Sequence, residues 1–154
     1  MQDNTYTPLS PLSEMRLEFA AALLRMLLDS QRRRPGTTAV VCDSWLCSVP
    51  TFQSLFPAEW AASAVPRPEL RQGLRGDPIT GGSGWWGQFT SRTGGFHARN
   101  AQEFRRTGAF PYPPMACRCH IGAAIAHLRE QFPEAEAHNQ ALRVAGAWRR
   151  ASAG

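Results

Sequence analysis

One segment, residues 11–34, restricts the fold of this chain more than any other feature of the sequence. Ser10 can cap a helix there, Pro11 suits a first helical turn, and the closing letters RRRPG are typical of a helix end. Between residues 19 and 28, apolar side chains cover nearly every face of this helix. A helix of that kind is central in a core or is shared with a partner subunit. We therefore expect a core helix at residues 11–34, or an oligomer interface formed through it.

Strand patterns are few in the remaining sequence. The segment TTAVVCDSWL, residues 37–46, is rich in β-branched residues and predicts one strand. The segment WWGQFTSRTGGF, residues 85–96, predicts a second short strand followed by a turn. Helical patterns occupy residues 100–107, 120–132 and 133–151. We therefore predict a mainly helical α+β domain with a small sheet and long loops rich in proline and glycine.

The length of 154 residues is enough for one hydrophobic core without a disulfide framework. We expect a loose arm at residues 1–9 and a single globular domain at residues 10–154. Residues 65–84 are rich in turn-forming residues and predict a long loop. A loop of this length inside a compact domain is usually functional or disordered, so it is a candidate lid or contact surface.

The opening residues predict a cytoplasmic protein, because they are polar and contain no basic cluster of the kind that begins a secretory signal. The apolar run of the first helix is too short for a membrane span and contains Arg25. We therefore expect no membrane segment. In a reducing compartment, the four cysteines are expected to be free thiols or metal ligands rather than disulfides.

The cysteines form two pairs at element ends. Cys42 and Cys47 have the spacing C-x4-C, and the stretch PMACRCHIG places Cys117 and Cys119 directly before a predicted helix that begins at His120, a fifth candidate metal ligand. Backbone N–H groups at a helix start favour thiolates, which are the form that binds zinc or acts as a nucleophile. If the pairs converge, they supply the ligands of a four-coordinate structural zinc. The alternative is that these are ordinary buried cysteines.

The positive charge of this chain comes entirely from arginine, which accounts for all seventeen basic residues and a net charge of +5. Arginine binds carboxylates and phosphates through a planar fork, which favours an acidic partner or nucleic acid, although a GC-rich coding bias produces the same composition. Aromatic residues near arginines are typical of single-strand binding surfaces, and the alternative is that the tryptophans belong to the core. The candidate ligand-binding residues are Trp85, Trp86, Arg92, His97, Arg99, Arg105 and Arg106.

Three function classes are consistent with these observations. The first is a small basic binding module, held together by zinc if the thiols converge, that contacts nucleic acid or an acidic protein. The second is a small cysteine- or metal-dependent enzyme in which a thiol attacks, His97 or His120 acts as the base and residues 65–84 form a lid. The third is an obligate subunit of a larger complex, joined to its partner by the apolar first helix.

Overall fold

The structure, a computed structural model, describes residues 10–67, 87–90 and 95–152 and is mainly helical with one small antiparallel sheet. It confirms the predicted α+β single domain. The predicted arm at residues 1–9 lies outside the described residues. Within those residues, none of the helices combines the length and apolar character that a membrane crossing requires. The helices are α1 (Arg16–Arg33), α2 (Pro50–Gln53), α3 (Ala58–Ala62), α4 (Ala98–Thr107), α5 (Ile121–Gln131) and α6 (Ala135–Ser152), and the strands are β1 (Ala39–Ser44), β2 (Val65–Pro66) and β3 (Met115–His120).

Helix α1 begins five residues later than the sequence pattern predicts. Residues 11–15 form turns, and the residue before the helix is Met15, which makes no side-chain cap. The backbone N–H of Met15 donates to the carbonyl of Ser10 at 2.9 Å, while the N–H of Ser10 donates to the Glu14 carboxylate at 2.9 Å. These local hydrogen bonds satisfy backbone groups of the turn that precedes α1, so Ser10 does not act as the N-cap of that helix.

One side of α1 is buried and the opposite side is exposed. Leu24 is completely buried, whereas Met26 is 54% exposed and Arg25 is also exposed. Helix α1 packs against α5 and α6, and the buried Asn139 side chain of α6 donates to the carbonyl of Ala21 at 2.8 Å. The prediction of a core helix is therefore confirmed for this side, and an oligomer interface on the exposed side stays a prediction. The buried residues of α1 are Ala20, Ala21, Leu24 and Leu27.

The sheet has the strand order β1-β3-β2, and its central strand is not the segment that the sequence pattern indicates. Residues Gly87–Phe89 form a 3-10 helix, and Thr90 makes only an isolated bridge to Phe96, so the prediction of a strand there is wrong for the described residues. Strand β3 takes that place and pairs with β1, with Cys42 opposite Cys117. The pattern of β3 alternates buried and exposed residues with period two, as a half-buried strand requires.

The two faces of the sheet differ in burial. Cys117 and Cys119 of β3 face the core, where they join one hydrophobic cluster with residues of α1, α3 and α5. Arg118 and His120 lie on the other face and are exposed, as is Val41 of β1, at 69%. The sheet is therefore covered by helices on its cysteine-bearing face.

Strand β2 corrects the expectation of a continuous loop at residues 65–84. Val65 pairs with Ala116, and Pro66 pairs with Met115, so the chain forms the third strand here before it leaves the sheet. Proline has no backbone N–H and is tolerated in an edge strand, which is the position of β2. The remainder of the proposed lid, residues 68–84, lies outside the described residues.

Helix α3 closes the part of the β3 edge that β2 is too short to cover. The Ser63 hydroxyl accepts a hydrogen bond from the Arg118 N–H at 2.8 Å, and the Glu59 carboxylate accepts one from the His120 N–H at 3.2 Å. Glu59 and Ser63 are four residues apart and therefore lie on the same side of one helical turn. They supply to β3 the acceptors that a longer neighbouring strand would have provided.

We predict that Glu59→Ala will accelerate hydrogen exchange at the His120 amide about fivefold, corresponding to the roughly 1 kcal/mol of one hydrogen bond. NMR-detected exchange measures this effect. The Ile121 amide, which donates to the Thr38 carbonyl on the β1 side at 3.0 Å, is the internal control and should keep its rate. Equal acceleration at both amides would instead indicate general loosening of the sheet.

Candidate functional site

A groove of about 500 Å³ lies between the first turn after β1 and helix α4. Strand β1 ends at Ser44, whose hydroxyl accepts a hydrogen bond from the Leu46 N–H at 3.1 Å and starts a 3-10 helix, Trp45–Ser48. This turn directs Leu46 to the groove and buries Cys47 in the core. The groove is lined by Leu12, Trp45, Leu46, Val49, Gly87, Gln88, Thr90, His97, Arg99, Asn100, Glu103, Pro111 and Tyr112.

Two aromatic side chains lie together in the wall of the groove. The ring centroids of Trp45 and Tyr112 are 6.0 Å apart, and the ring planes are inclined by 35°. Both residues are half-buried, so each ring packs on the protein and keeps part of its surface exposed. Such a pair offers a surface on which a flat ligand ring can stack.

Gln88 fixes the position of the groove wall. This residue is buried, its side-chain amide donates to the Tyr112 carbonyl at 3.1 Å, and its side-chain oxygen accepts from the Tyr112 N–H at 3.0 Å. The Asn100 side chain donates to the Gln88 carbonyl at 2.6 Å, which joins α4 to the same residue. A wall held by paired hydrogen bonds is preorganised, so less conformational entropy is lost when a ligand binds.

His97 caps α4 and lines the groove. Its ring Nδ1 accepts a hydrogen bond from the Asn100 N–H at 3.3 Å, and α4 begins at Ala98, two residues before the position expected from the sequence pattern. Because Nδ1 accepts, the proton of the neutral ring lies on Nε2. The capping bond therefore leaves Nε2–H as a donor for a ligand acceptor.

Helix α4 brings positive charge to the groove. Arg106 binds the Glu103 carboxylate through two nitrogens, at 2.6 and 3.2 Å, and this hydrogen bonding lowers the pKa of Glu103. The Arg99 cation adds a weaker Coulombic effect in the same direction. Arg99 and Arg105 are both exposed. With the Glu103 charge compensated by Arg106, the helix retains the positive charges of Arg99 and Arg105.

Sequence reasoning found part of this site. The predicted ligand residues His97 and Arg99 line the groove, and Arg105 and Arg106 lie on the same helix. The predicted residues Trp85, Trp86 and Arg92 lie outside the described residues. The sequence analysis did not predict that Trp45, Gln88 and Tyr112 belong to the groove. The signal that could have indicated this was a tryptophan placed directly after a strand end.

Three of the four thiols lie together on the inner side of the sheet. Cys42 and Cys117 are paired across β1 and β3, and the Cys47 thiol lies close to both. The Cys47 thiol also donates to the Cys42 carbonyl at 3.4 Å. The hydrogen bond from Cys47 lowers the pKa of Cys42, and the same contact, together with burial, raises the pKa of Cys47.

Cys119 and His120 lie outside this cluster of three thiols. Burial raises the pKa of the Cys119 thiol to about 11, with a further contribution from the Glu59 carboxylate, and burial raises the pKa of Cys117. The expected thiolates at a helix start are therefore not found, because both cysteines lie inside a strand. His120 is exposed on the opposite face. In residues 10–67, 87–90 and 95–152, no three His, Cys, Asp or Glu side chains are grouped as a metal site requires.

A second concave surface, of about 690 Å³, lies between α1 and α6. Its arginines are Arg25, Arg32 and Arg143, and Arg32 forms an ion pair with Asp29 of the same surface. It is therefore more positive than the groove, whose charged lining residues are Arg99 and Glu103. No aromatic residue is among the described residues that line it, which are Ala22, Arg25, Met26, Leu28, Asp29, Arg32 and Arg143.

The chain matches no family model, no curated protein and no solved structure. Its function is therefore argued from the geometry of the groove and the thiol cluster.

Proposed function

We propose that this chain is a binding module and that the groove holds a nucleotide unit of a single-stranded nucleic acid. The observation that carries this proposal is the half-buried aromatic pair of Trp45 and Tyr112 in the same groove as Arg99. Base stacking on aromatic rings together with arginine–phosphate contacts is the general mode of single-strand binding. The groove of about 500 Å³ is also within the usual range for ligand pockets, roughly 300–1,000 Å³.

In this binding mode, each side chain of the groove makes a different contact with the nucleotide unit. A base stacks on the exposed surface of Trp45 or Tyr112, and the guanidinium of Arg99 binds the adjoining phosphate. Arg105, which does not line the groove, adds positive charge elsewhere on the same helix. The Nε2–H of His97 donates to a sugar or base oxygen. Stacking does not depend on the base, so we expect weak sequence preference and strong dependence on salt.

We predict that Arg99→Ala combined with Arg105→Ala will weaken binding and flatten its salt dependence. The logarithmic slope should fall by about 0.7 for each phosphate that the variant no longer neutralises. Fluorescence anisotropy with a labelled single-stranded oligonucleotide at several salt concentrations measures both effects. The matched control is Arg25→Ala with Arg143→Ala, which removes the same charge from the surface between α1 and α6. Equal effects in the two double variants would show that net charge, rather than the groove, determines binding.

We also predict that Trp45→Ala will weaken binding by roughly 1–3 kcal/mol, or about 5- to 150-fold, at every salt concentration, because stacking is not screened by ions. Trp45→Phe keeps a stacking ring and should retain most of the affinity. A duplex of the same sequence should bind more weakly, because its bases are already stacked. Tight binding of polyglutamate with no binding of the oligonucleotide would identify an acidic protein as the partner and overturn the nucleic-acid proposal.

The cysteine- or metal-dependent enzyme is the rival proposal. Among the described residues that line the groove, none is a cysteine, so a thiol nucleophile would have to act elsewhere.

A structural zinc on the cysteines stays a prediction, and metal analysis of the purified protein tests it. About one equivalent of zinc with all four thiols protected would support the zinc-containing module.

A further inference from the structure

The thiol cluster of Cys42, Cys47 and Cys117 has no part in the groove proposal and differs from ordinary core packing. Cys47 is fully buried and Cys117 nearly so, whereas Cys42 is only half-buried. The Cys47 thiol donates a hydrogen bond to the Cys42 carbonyl at 3.4 Å and lies close to the thiols of Cys42 and Cys117. All four cysteines are reduced. The cluster therefore has one thiol that reagents can reach and a second thiol in direct contact with it.

We infer that Cys42 and Cys47 are a redox pair in which hydrogen peroxide oxidises Cys42 and the buried Cys47 then closes an intramolecular disulfide. The partial exposure of Cys42 gives the oxidant access, and its contact with Cys47 supplies the second thiol.

The reaction balances with one peroxide and two thiols. The Cys42 thiolate sulfur attacks one peroxide oxygen, the O–O bond breaks, and the departing hydroxide takes up a proton to form water. Cys42 is then a sulfenic acid. The Cys47 sulfur attacks the Cys42 sulfur, the S–O bond breaks, and the hydroxide leaves as water with the Cys47 proton. The two cysteine sulfurs are together oxidised by two electrons, and the peroxide is reduced to two water molecules.

Cys47 is favoured over Cys117 as the second thiol for a geometric reason. Cys42 and Cys117 are held opposite each other by the strand register of a continuous ladder, whereas Cys47 follows β1 on a short 3-10 turn. A disulfide requires its β-carbons to approach to roughly 4 Å with a specific dihedral angle. A short turn at the end of a strand can adjust to this requirement more readily than a paired strand in the centre of the sheet.

Treatment of the reduced protein with hydrogen peroxide, followed by alkylation and peptide mapping, tests this inference. Cleavage after arginine leaves Cys42 and Cys47 in one peptide and separates Cys117 from Cys119 at Arg118. We expect the peptide containing Cys42 and Cys47 to lose the mass of two hydrogens and to resist alkylation. A cross-linked pair of peptides would identify Cys117 as the second thiol and overturn the assignment, as would four thiols that stay reduced.

Variants test the separate roles of the two thiols. Cys42→Ser should lower the rate of peroxide consumption at least about tenfold, and Cys47→Ser should leave a sulfenic acid at Cys42 that dimedone traps. Cys119→Ser is the matched control, because Cys119 is buried next to Glu59, and it should oxidise like the wild type. An unchanged rate in Cys42→Ser would overturn the inference. The peptide map of the wild-type protein decides the question even if a serine variant fails to fold.

Discussion

Replacing Trp60 with alanine is expected to lower the free energy of unfolding by about 3–5 kcal/mol. Trp60 is completely buried, and its indole is stacked on Phe56 with ring centroids 3.9 Å apart and planes inclined by 9°. Phe56 in turn contacts Phe52, at a centroid distance of 5.3 Å. Removing the indole leaves a large cavity beside these rings, because α2 and α3 are too short and too firmly connected to collapse into it. Urea unfolding followed by circular dichroism measures the loss.

The variant Trp60→Phe separates the stacked ring from the volume of the indole. We expect a smaller loss, about 1–2 kcal/mol, because a phenyl ring can still stack on Phe56. The buried Trp60 Nε1 has no hydrogen-bond partner among the described residues, so its removal costs no hydrogen bond to them. Equal losses in Trp60→Ala and Trp60→Phe would contradict the stacking contribution.

The variant Leu24→Ala is expected to lower the free energy of unfolding by about 2–5 kcal/mol. Leu24 is 0% exposed and lies on the side of α1 that belongs to the hydrophobic core. Alanine preserves the helix propensity at this position, so the loss reports on packing alone. The same urea titration measures it, and an unchanged dependence on denaturant confirms that the folded state keeps its compactness.

Met26 provides the control on the same helix. Its side chain is 54% exposed, so Met26→Ala should change stability by no more than about 0.5 kcal/mol. A loss below about 1 kcal/mol in Leu24→Ala would contradict the assignment of this side of α1 to the core. A loss in Met26→Ala as large as that in Leu24→Ala would instead indicate that the exposed side is buried by a second subunit.

The helices were largely predictable because their signals are local. Gly108, which has a φ of 69°, ends α4 where the sequence predicts an end, and α5 begins within one residue of the predicted start. Helical hydrogen bonds join residues four positions apart, so capping and periodicity can be read from a short window. The start of α1 was misplaced because the turn bonds of Ser10 compete with a cap.

The sheet and the groove were less predictable because both join distant segments. Cys42 pairs with Cys117 through a register that no local pattern of either strand specifies. The groove brings together Trp45, Gln88 and Tyr112, and the hydrogen bonds of Gln88 to Tyr112 exist only in the folded chain. Of the groove residues, His97 and Arg99 could be predicted because each stands out by its own chemistry.

The sequence by itself determined the helical segments, the arginine-only positive charge and the spacing of the two cysteine pairs. Only the tertiary structure decided the burial, the neighbours and the direction of the pKa shift of each cysteine. The sequence places Cys119 near a helix start, where the dipole would lower its pKa, but the strand buries it beside Glu59 and raises that pKa to about 11. Cys42 has a lowered pKa because folding brings the Cys47 thiol into hydrogen-bonding contact with it. The reactivity of a thiol depends on burial and on its neighbours in space, and neither is specified by its position along the chain.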